Sequence, residues 1–392
     1  MYKVLTLNNI AVEGLRHLPR ARYEVASEIA HPDAILLRSF KMHDMEIPDS
    51  VAAVGRAGAG TNNIPVDALA QRGIPVFNAP GANANAVKEL VVAGLLVAAR
   101  NICDAREYVK GLEETGEALN KAVETGKKQF VGSELPGKTL GVIGLGAIGV
   151  EVANAALDLG MLVQGFDPAI TVRSAWRLSA GVKHAETLDQ LFQGTDAVTV
   201  HAPLIDATRN IVNRDRIKLM NDGATLLNLA RGGVVDDAAV LEALDSGKLA
   251  HYVSDFPTPE LIAHPKVVAL PHLGASTAEA EENCAVMVAE NVKDYLENGN
   301  IRYSVNFPEC RLPRMDAWRI TVANANVPNM VGQISTALAD AGLNIEDLLN
   351  RSIGELAYTI VDVNGEVTPE IEASLRSING VLALRNLGKP VT

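Results

Sequence analysis

The sequence predicts an α/β protein built from two parallel-sheet regions and a small α+β module. Three observations support this fold class. Short β-branched runs alternate with helical stretches near the start of the chain, and a second such series begins at Thr139. From about Met315 the predicted order becomes strand, helix, strand, strand, helix, strand, which is typical of a ferredoxin-like module.

The first series has four predicted strands, and Gly-, Pro- and Asn-rich turns follow several of them. They are Tyr2–Leu7, Ala34–Leu37, Ala52–Arg56 and Pro75–Asn78. The long apolar stretch from Lys88 to about Lys110 predicts one helix, and residues 126–137 resemble a loop.

The second series is short, apolar and rich in β-branched residues, as expected for strands buried on both faces. Its predicted strands are Thr139–Gly144, Met161–Asp167, Ala197–Ala202, Thr225–Leu229, Tyr252–Asp255 and Val267–Leu270. A helix over 277–298 and a connector over 303–308 follow. The last module is predicted as strands 318–323, 345–352, 356–363 and 381–387 with helices 331–341 and 368–377.

Composition restricts the function classes. The formal net charge of −12 argues against a nucleic-acid partner, because that role needs a basic face. The three cysteines lie far apart in the sequence and form no C-x-x-C motif, which favours a reducing cytoplasm, and we expect no metal. The N-terminus lacks signal-peptide features, and the longest apolar run, Leu90–Ala99, is too short to cross a membrane.

A glycine-rich turn follows the strand that begins at Thr139. Gly144, Gly146 and Gly149 match G-x-G-x-x-G between a strand and a predicted helix. The three glycines permit a tight turn, a close approach of the backbone to a pyrophosphate, and close packing of helix on strand. The helix N-terminus, with Ala147 and Ile148, then offers N–H groups to the phosphates.

The next predicted strand ends at Asp167, 18 residues beyond Gly149. A carboxylate at this position can bind both ribose hydroxyls of a dinucleotide. It would repel the 2′-phosphate of NADP, so the sequence predicts NAD as the cofactor.

Arg231, Glu260 and His272 follow later strands of the same series. The carboxyl ends of parallel strands line the ligand crevice of a doubly wound sheet, so these side chains can converge there. Histidine suits the proton transfer that accompanies hydride transfer from an alcohol, and glutamate can fix its tautomer. Arginine presents a planar fork to a carboxylate.

Several stretches resemble the D-isomer-specific 2-hydroxyacid dehydrogenases. They are Arg56-Ala-Gly-Ala-Gly-Thr-Asn-Asn, Asn78-Ala-Pro, Gly141–Gly149, His201-Ala-Pro-Leu, Asn228-Leu-Ala-Arg-Gly-Gly-Val-Val-Asp, Asp255–Glu260 and Pro271-His-Leu-Gly-Ala-Ser-Thr. The resemblance implies a Rossmann-type NAD domain inserted in a discontinuous flavodoxin-like substrate domain. The expected boundaries are 1–88 with 277–305 for the substrate domain, 89–276 for the NAD domain and 315–392 for the terminal module.

The resemblance also implies site residues. Arg231, Glu260 and His272 become the catalytic set, and the turn containing Ala59 and Gly60 offers N–H groups to the substrate carboxylate. The implied cofactor contacts, besides the glycine turn and Asp167, are His201, Ala202, Pro203, Ala230, Asp255 and His272. Asp255 is expected to hold the nicotinamide carboxamide.

Two further similarities concern substrate and regulation. Arg38 matches a phosphate-contacting arginine of the family and Lys41 is near enough to assist, which implies a phosphorylated 2-hydroxy acid as substrate. Some relatives carry a second arginine where this chain has Phe40. The terminal module resembles an ACT domain, which implies L-serine as an effector.

Asn326 and Asn344 match effector-contacting positions of regulated ACT modules, and Asn324 stands where some relatives have histidine. Asn329 replaces a usual glycine, and asparagine tolerates the left-handed backbone that this turn needs. A module that only oligomerises is the alternative, and a homodimer or homotetramer is expected.

Two other functions are compatible with the same residues. One is a hydroxypyruvate/glyoxylate or D-lactate-type reductase with the same catalytic set, and the other is a non-catalytic NAD-sensing protein on the same fold.

Overall fold

The computed structural model describes residues 1–390. Its contacts divide the chain into two compact units. One unit comprises Met1–Ala82 together with residues 281–390, and the other, Asn83–Ala280, is inserted between these two parts. The terminal module, from about Met315, lies within the first of these units.

Residues 1–82 form a parallel sheet with the strand order β2-β1-β3-β4-β5, which is the flavodoxin-like order. Its elements are β1 (Tyr2–Leu7), α1 (Val12–Leu15), β2 (Tyr23–Ala26), β3 (Ala34–Leu37), β4 (Ala53–Arg56), α2 (Val66–Gln71) and β5 (Val76–Phe77). The sequence analysis missed β2. This edge strand is only partly buried, so it lacks the apolar run that marks the central strand β3.

The inserted unit carries a seven-stranded parallel sheet of order β12-β11-β10-β9-β6-β7-β8. The order reverses between β6 and β9, as in a doubly wound Rossmann sheet, and ligands bind at the carboxyl ends of the strands beside such a reversal. Its strands are β6 (Thr139–Ile143), β7 (Leu162–Phe166), β8 (Lys183–His184), β9 (Ala197–Val200), β10 (Ala224–Asn228), β11 (Leu249–Ser254) and β12 (Val267–Ala269).

The helices of the inserted unit correct one expectation. They are α3 (Ala84–Ala99), α4 (Ile102–Lys110), α5 (Gly116–Gly126), α6 (Ala147–Asp158), α7 (Val172–Arg177), α8 (Leu188–Phe192), α9 (Arg214–Leu219), α10 (Asp237–Asp245) and α11 (Pro259–Ala263). The single helix predicted over 88–110 is wrong, because Asn101 takes a left-handed conformation (φ 50°) and ends α3. Helix α5 and the 3-10 turn at Lys127–Phe130 were not predicted.

The last segment follows the predicted order closely. It contains α12 (Ala278–Asn298), β13 (Trp318–Ala325), α13 (Met330–Asp340), β14 (Ile345–Ile353), β15 (Leu356–Val363), α14 (Pro369–Arg376) and β16 (Val381–Gly388). The antiparallel sheet has the order β14-β15-β13-β16, as expected for a ferredoxin-like βαββαβ module. Helices α13 and α14 cover one face of this sheet.

The other face of that sheet is buried within the same unit. Tyr358 and Ile360 belong to the same apolar core as Tyr295 of α12 and Phe307 of the connector. The Tyr358 hydroxyl donates to the Gly299 carbonyl at 2.8 Å. The terminal module therefore shares the apolar core of the first unit and is not held by the connector alone. Among the helices described here, none combines the length and apolarity needed to span a bilayer.

Candidate active site

The glycine-rich turn joins β6 to α6 and has the geometry of a pyrophosphate cradle. Gly144 has φ 86°, and a Cβ there would lie 2.6 Å from the His201 carbonyl oxygen. A Cβ at Gly149 would collide with the Gly144 carbonyl, whereas one at Gly146 would meet nothing within 4 Å. Gly146 therefore faces open space at the start of a twelve-residue helix, whose first N–H groups have no partner inside the helix.

Asp167 lies just beyond the end of β7 and is tied to this turn. Its Oδ2 accepts a hydrogen bond from the Leu145 N–H at 2.8 Å, and its Oδ1 accepts one from the Ala169 N–H at 2.9 Å. These bonds orient the half-buried carboxylate and leave lone pairs on both oxygens for ribose hydroxyls. The turn and Asp167 together fit NAD.

His201 follows β9, directly across the sheet reversal from the glycine turn. Its Nε2 lies 3.0 Å from the Thr199 hydroxyl, and its Nδ1 is buried without a hydrogen-bond partner among the described residues. Burial lowers the pKa of His201 to about 4, so the ring is neutral at pH 7. Ala202 and Pro203 continue the chain at the same edge.

Arg231 lies beyond β10, and the sequence analysis missed the residue that positions it. Asn228 is the last residue of β10 and is buried. Its side-chain Nδ2 donates to the Arg231 carbonyl at 2.9 Å, and its Oδ1 accepts from the Ala230 N–H at 3.2 Å. The exposed Arg231 side chain therefore extends from a backbone that Asn228 holds in place. An asparagine in an otherwise apolar strand was the available signal.

Asp255 anchors the loop that carries His272. The Asp255 carboxylate is buried, and it accepts from the Leu273 N–H at 3.0 Å and from the Gly274 N–H at 2.8 Å. His272 itself has φ 57°, a conformation that costs a non-glycine residue about 1 kcal/mol or more. Its exposed ring packs against Phe256 at 4.9 Å between centroids. Sequence reasoning had implied a carboxamide contact for Asp255, not this anchoring role.

Glu260 occupies the first turn of α11, after Pro259, and its side chain is exposed. The expected hydrogen bond between Glu260 and His272 is not formed within residues 1–390. His272 lies on a left-handed backbone, and Glu260 lies on α11, which Thr258 caps. Catalytic hydrogen bonds are often long or poorly aligned when no ligand is bound. The absence of the Glu260–His272 hydrogen bond therefore describes the ligand-free geometry.

In the first unit, the turn after β4 fits an anion. The Gly58 carbonyl accepts from the Ala79 N–H at 3.0 Å, and the Ala59 carbonyl accepts from the Asn78 side-chain amide at 2.6 Å. Within the described chain, the N–H groups of Ala59 and Gly60 have no hydrogen-bond partner. Backbone donors left free in a glycine-rich turn are suited to a carboxylate.

Arg38 follows β3, which pairs with β4 in the register Leu37↔Arg56, so Arg38 lies at the same sheet edge as this turn. The side-chain amide of Asn63 donates to the carbonyls of Arg38 (3.2 Å) and Phe40 (2.7 Å), which holds the loop. Arg38 Nη2 lies 2.7 Å from Glu281 Oε1, a pairing that was not expected. Lys41 is exposed.

The four asparagines singled out in the terminal module have distinct surroundings. Asn329 has φ 63°, so the left-handed turn survives without glycine as predicted. The Asn326 side-chain amide donates to the Gly354 carbonyl at 3.0 Å, and the Asn344 N–H donates to the Asn364 side chain at 3.0 Å. Asn324 is buried, and its side-chain amide donates to the Ala325 carbonyl. Its side chain therefore does not reach the surface, where an effector would bind.

The inserted unit combines an open glycine-rich Rossmann turn with a carboxylate, Asp167, just beyond the next strand. Arg231 and His272 follow later strands of the same sheet. These features are those of an NAD-dependent dehydrogenase. The model of the D-isomer specific 2-hydroxyacid dehydrogenase NAD-binding domain matches residues 92–274. The chain is 33% identical over 381 residues to D-3-phosphoglycerate dehydrogenase of Methanocaldococcus jannaschii, covering 93% of this chain and 69% of that protein.

The enzyme of the same name from Haemophilus influenzae is 34% identical, with 88% of this chain and 83% of that protein covered. The chain spans 59% of the length of the Bacillus subtilis relative. A solved structure of NAD+-bound 3-phosphoglycerate dehydrogenase from Entamoeba histolytica matches with a TM-score of 0.59 and 26% identity, over 78% of this chain and 98% of that one. The chain belongs to the D-isomer specific 2-hydroxyacid dehydrogenase family, on its D-3-phosphoglycerate dehydrogenase branch.

Proposed function

We propose that this protein oxidises 3-phospho-D-glycerate to 3-phosphohydroxypyruvate with NAD, the first step of L-serine biosynthesis. The observation that carries the proposal is the placement of Arg38 beside the turn 57–60, at one edge of the first sheet. A guanidinium suits a phosphate, and free backbone donors suit a carboxylate. Similarity to relatives named for this reaction supports the same substrate.

The proposed mechanism assigns one role to each catalytic residue. His272 accepts the proton of the substrate C2 hydroxyl, and Glu260 stabilises the resulting imidazolium. Arg231 holds the substrate carboxylate and the developing carbonyl oxygen with its planar fork. NAD, when bound, supplies the acceptor for the C2 hydride. In the first unit, Ala59 and Gly60 bind the carboxylate, and Arg38, aided by Lys41, binds the phosphate.

The test is the substrate preference of the full chain. NADH formation is measured at alkaline pH with 3-phospho-D-glycerate, D-glycerate and D-lactate, and the keto product is trapped. A strong preference for the phosphorylated acid supports the proposal. Equal use of the unphosphorylated acids would assign a hydroxypyruvate/glyoxylate or D-lactate-type reductase instead. NAD binding without turnover of any acid would indicate an NAD-sensing protein.

We also assign domains and regulation as proposals. Residues 1–82 with 281–305 form the substrate domain, and residues 83–280 form the NAD domain. The segment from residue 315 forms an ACT module that senses L-serine. The enzyme is proposed to be cytoplasmic. Asn326 and Asn344 are the proposed effector contacts, since each lies in an exposed turn of the module. We expect L-serine to inhibit NADH formation by the wild-type protein and to have no effect on Asn344→Ala. Identical rates with and without L-serine in the wild type would argue for a module that only oligomerises.

A homo-oligomer is proposed from residues 102–131. Helix α4 contains no buried residue and α5 contains only Gly126, although the two helices contact each other through Tyr108. Ile102, Val109 and Val131 are largely exposed. A helical hairpin with so little buried area is not stable alone, so a second copy is expected to cover it. Val109→Glu with Val131→Glu should yield a smaller species by light scattering, and an unchanged mass would refute this interface.

A further inference from the structure

The guanidinium proposed to bind the substrate phosphate already has a counter-ion inside the protein. Arg38 Nη2 lies 2.7 Å from Glu281 Oε1, and both side chains are partly exposed (39% and 43%). Arg38 is held at its backbone by Asn63, so the pair joins a fixed loop after β3 to the first turns of α12.

The backbone that carries Glu281 cannot easily move away from Arg38. Cys284, Ala285 and Val288, on the next turns of α12, are buried in the core of the first unit. A Cβ added at Gly14 of α1 would lie 2.6 Å from the Ala285 Cβ, which shows how closely the two helices pack. The pair can therefore separate by rotation of either partly exposed side chain, without movement of α12.

A second arginine, Arg56, lies near the same segment of α12. Burial is the largest influence on the Cys284 thiol and raises its pKa. Arg38 and Arg56 act in the opposite direction and lower this pKa, whereas Glu281 raises it. Two arginines and one glutamate thus lie within electrostatic reach of a single point on α12. A phosphate carries about −1.5 to −2 charges, so it is attracted by both arginines and repelled by Glu281.

We propose that Glu281 is a specificity-determining residue that competes with the substrate phosphate for Arg38. This inference rests on the proposed function, because it takes Arg38 as the phosphate ligand. Without substrate, Glu281 holds the guanidinium; a phosphate displaces the carboxylate and takes its hydrogen bonds. A substrate with an uncharged hydroxymethyl end leaves the pair intact, so Glu281 weakens binding of phosphorylated acids selectively and assists release of the phosphorylated product.

The experiment compares Glu281→Gln with the matched control Glu282→Gln, which removes the same charge from the next residue of α12. Affinities of the NADH-bound enzyme for 3-phospho-D-glycerate, inorganic phosphate and D-glycerate are measured by calorimetry. Because exposed ion pairs are weak, we expect Glu281→Gln to tighten binding of the two phosphate compounds by roughly three- to tenfold. D-Glycerate binding should not change in either variant, and Glu282→Gln should have a smaller effect than Glu281→Gln on the two phosphate compounds.

Arg38→Gln separates the failure of this inference from the failure of the proposed function. If Arg38→Gln weakens binding of phosphate compounds and abolishes the effect of Glu281→Gln in the double variant, competition for Arg38 is supported. If Arg38→Gln weakens binding but Glu281→Gln alone does not tighten it, the role of Glu281 is overturned while the phosphate site stands. If Arg38→Gln changes nothing, the proposed phosphate site itself is contradicted.

Discussion

Arg319 and Asp362 form a fully buried ion pair in the terminal module, with Nε to Oδ1 and Nη2 to Oδ2 distances of 2.6 Å. The same guanidinium donates to the carbonyls of Asn298, Leu312 and Pro313. One arginine therefore joins strands β13 and β15 to the end of α12 and to the connector. This explains how the module is held within the first unit.

Replacing one partner of this pair should strongly destabilise the protein. Arg319→Met leaves the buried Asp362 carboxylate without its partner and removes the donor to three carbonyls, and breaking a buried pair in this way costs about 3–5 kcal/mol. The measurement is chemical denaturation of the full chain. Arg319→Met with Asp362→Leu should recover part of the loss, because no isolated charge remains. A single variant as stable as the wild type would contradict the role given to this pair.

The Asp255 anchor should affect turnover more than cofactor affinity. In Asp255→Asn one side-chain acceptor is replaced by a donor, so either the Leu273 or the Gly274 N–H loses its partner and the loop bearing His272 loosens. Misplacement of a catalytic group by about 1 Å can cost on the order of 10²-fold in rate, so we expect a fall in kcat of up to that size. Unchanged kcat with a lower Tm would reduce Asp255 to a structural residue.

His272 should be required for chemistry but not for NAD binding. General acid–base catalysis contributes about 10²–10⁴-fold, so His272→Gln should lower kcat by a factor in that range. NADH affinity, measured by fluorescence titration, should change little. His264→Gln is the matched control, since His264 pairs with Asp245 on the same unit and has no proposed catalytic role. Full turnover in His272→Gln would defeat the mechanism.

Asp167 should set the preference for NAD over NADP. Asp167→Asn removes the charge that repels a 2′-phosphate and weakens the ribose hydrogen bonds, which for a charged acceptor contribute about 1.5–3 kcal/mol. We expect kcat/KM for NAD to fall by about tenfold or more and the ratio between the two cofactors to narrow. Glu186→Gln, which removes an exposed carboxylate from the same unit, is the control. An unchanged ratio argues against Asp167 as the ribose ligand.

The buried ring of His201 should make stability depend on pH. Burial lowers its pKa from 6.5 to about 4, so between these values the unfolded chain binds a proton that the folded chain does not. The free energy of unfolding should therefore decrease as pH falls from 7 to 4, by on the order of 1–3 kcal/mol. The difference in stability between wild type and His201→Gln should shrink over the same window. A constant difference would show that His201 does not carry this dependence.

The fold class and the identity of the cofactor could be predicted because their sequence signals are local. The glycine turn and Asp167 lie within one βαβ unit. The glycines of this motif are required by the tight turn and by the approach of a pyrophosphate, and the carboxylate suits ribose hydroxyls. The ferredoxin-like order of the last segment was also confirmed, including the left-handed Asn329. Where local signals were weak, as at the partly exposed strand β2 and the break at Asn101, the prediction failed.

The sequence by itself determined the residue types of the site and the carboxyl ends of the strands on which they lie. Only the tertiary structure decided how those residues are held: Asp255 on the His272 loop, Asn228 on Arg231, and Glu281 on Arg38. Pattern and spacing describe a residue's position along its own helix or strand. Contacts between elements distant in sequence depend instead on how helix α12 and the strands pack, which no local pattern specifies.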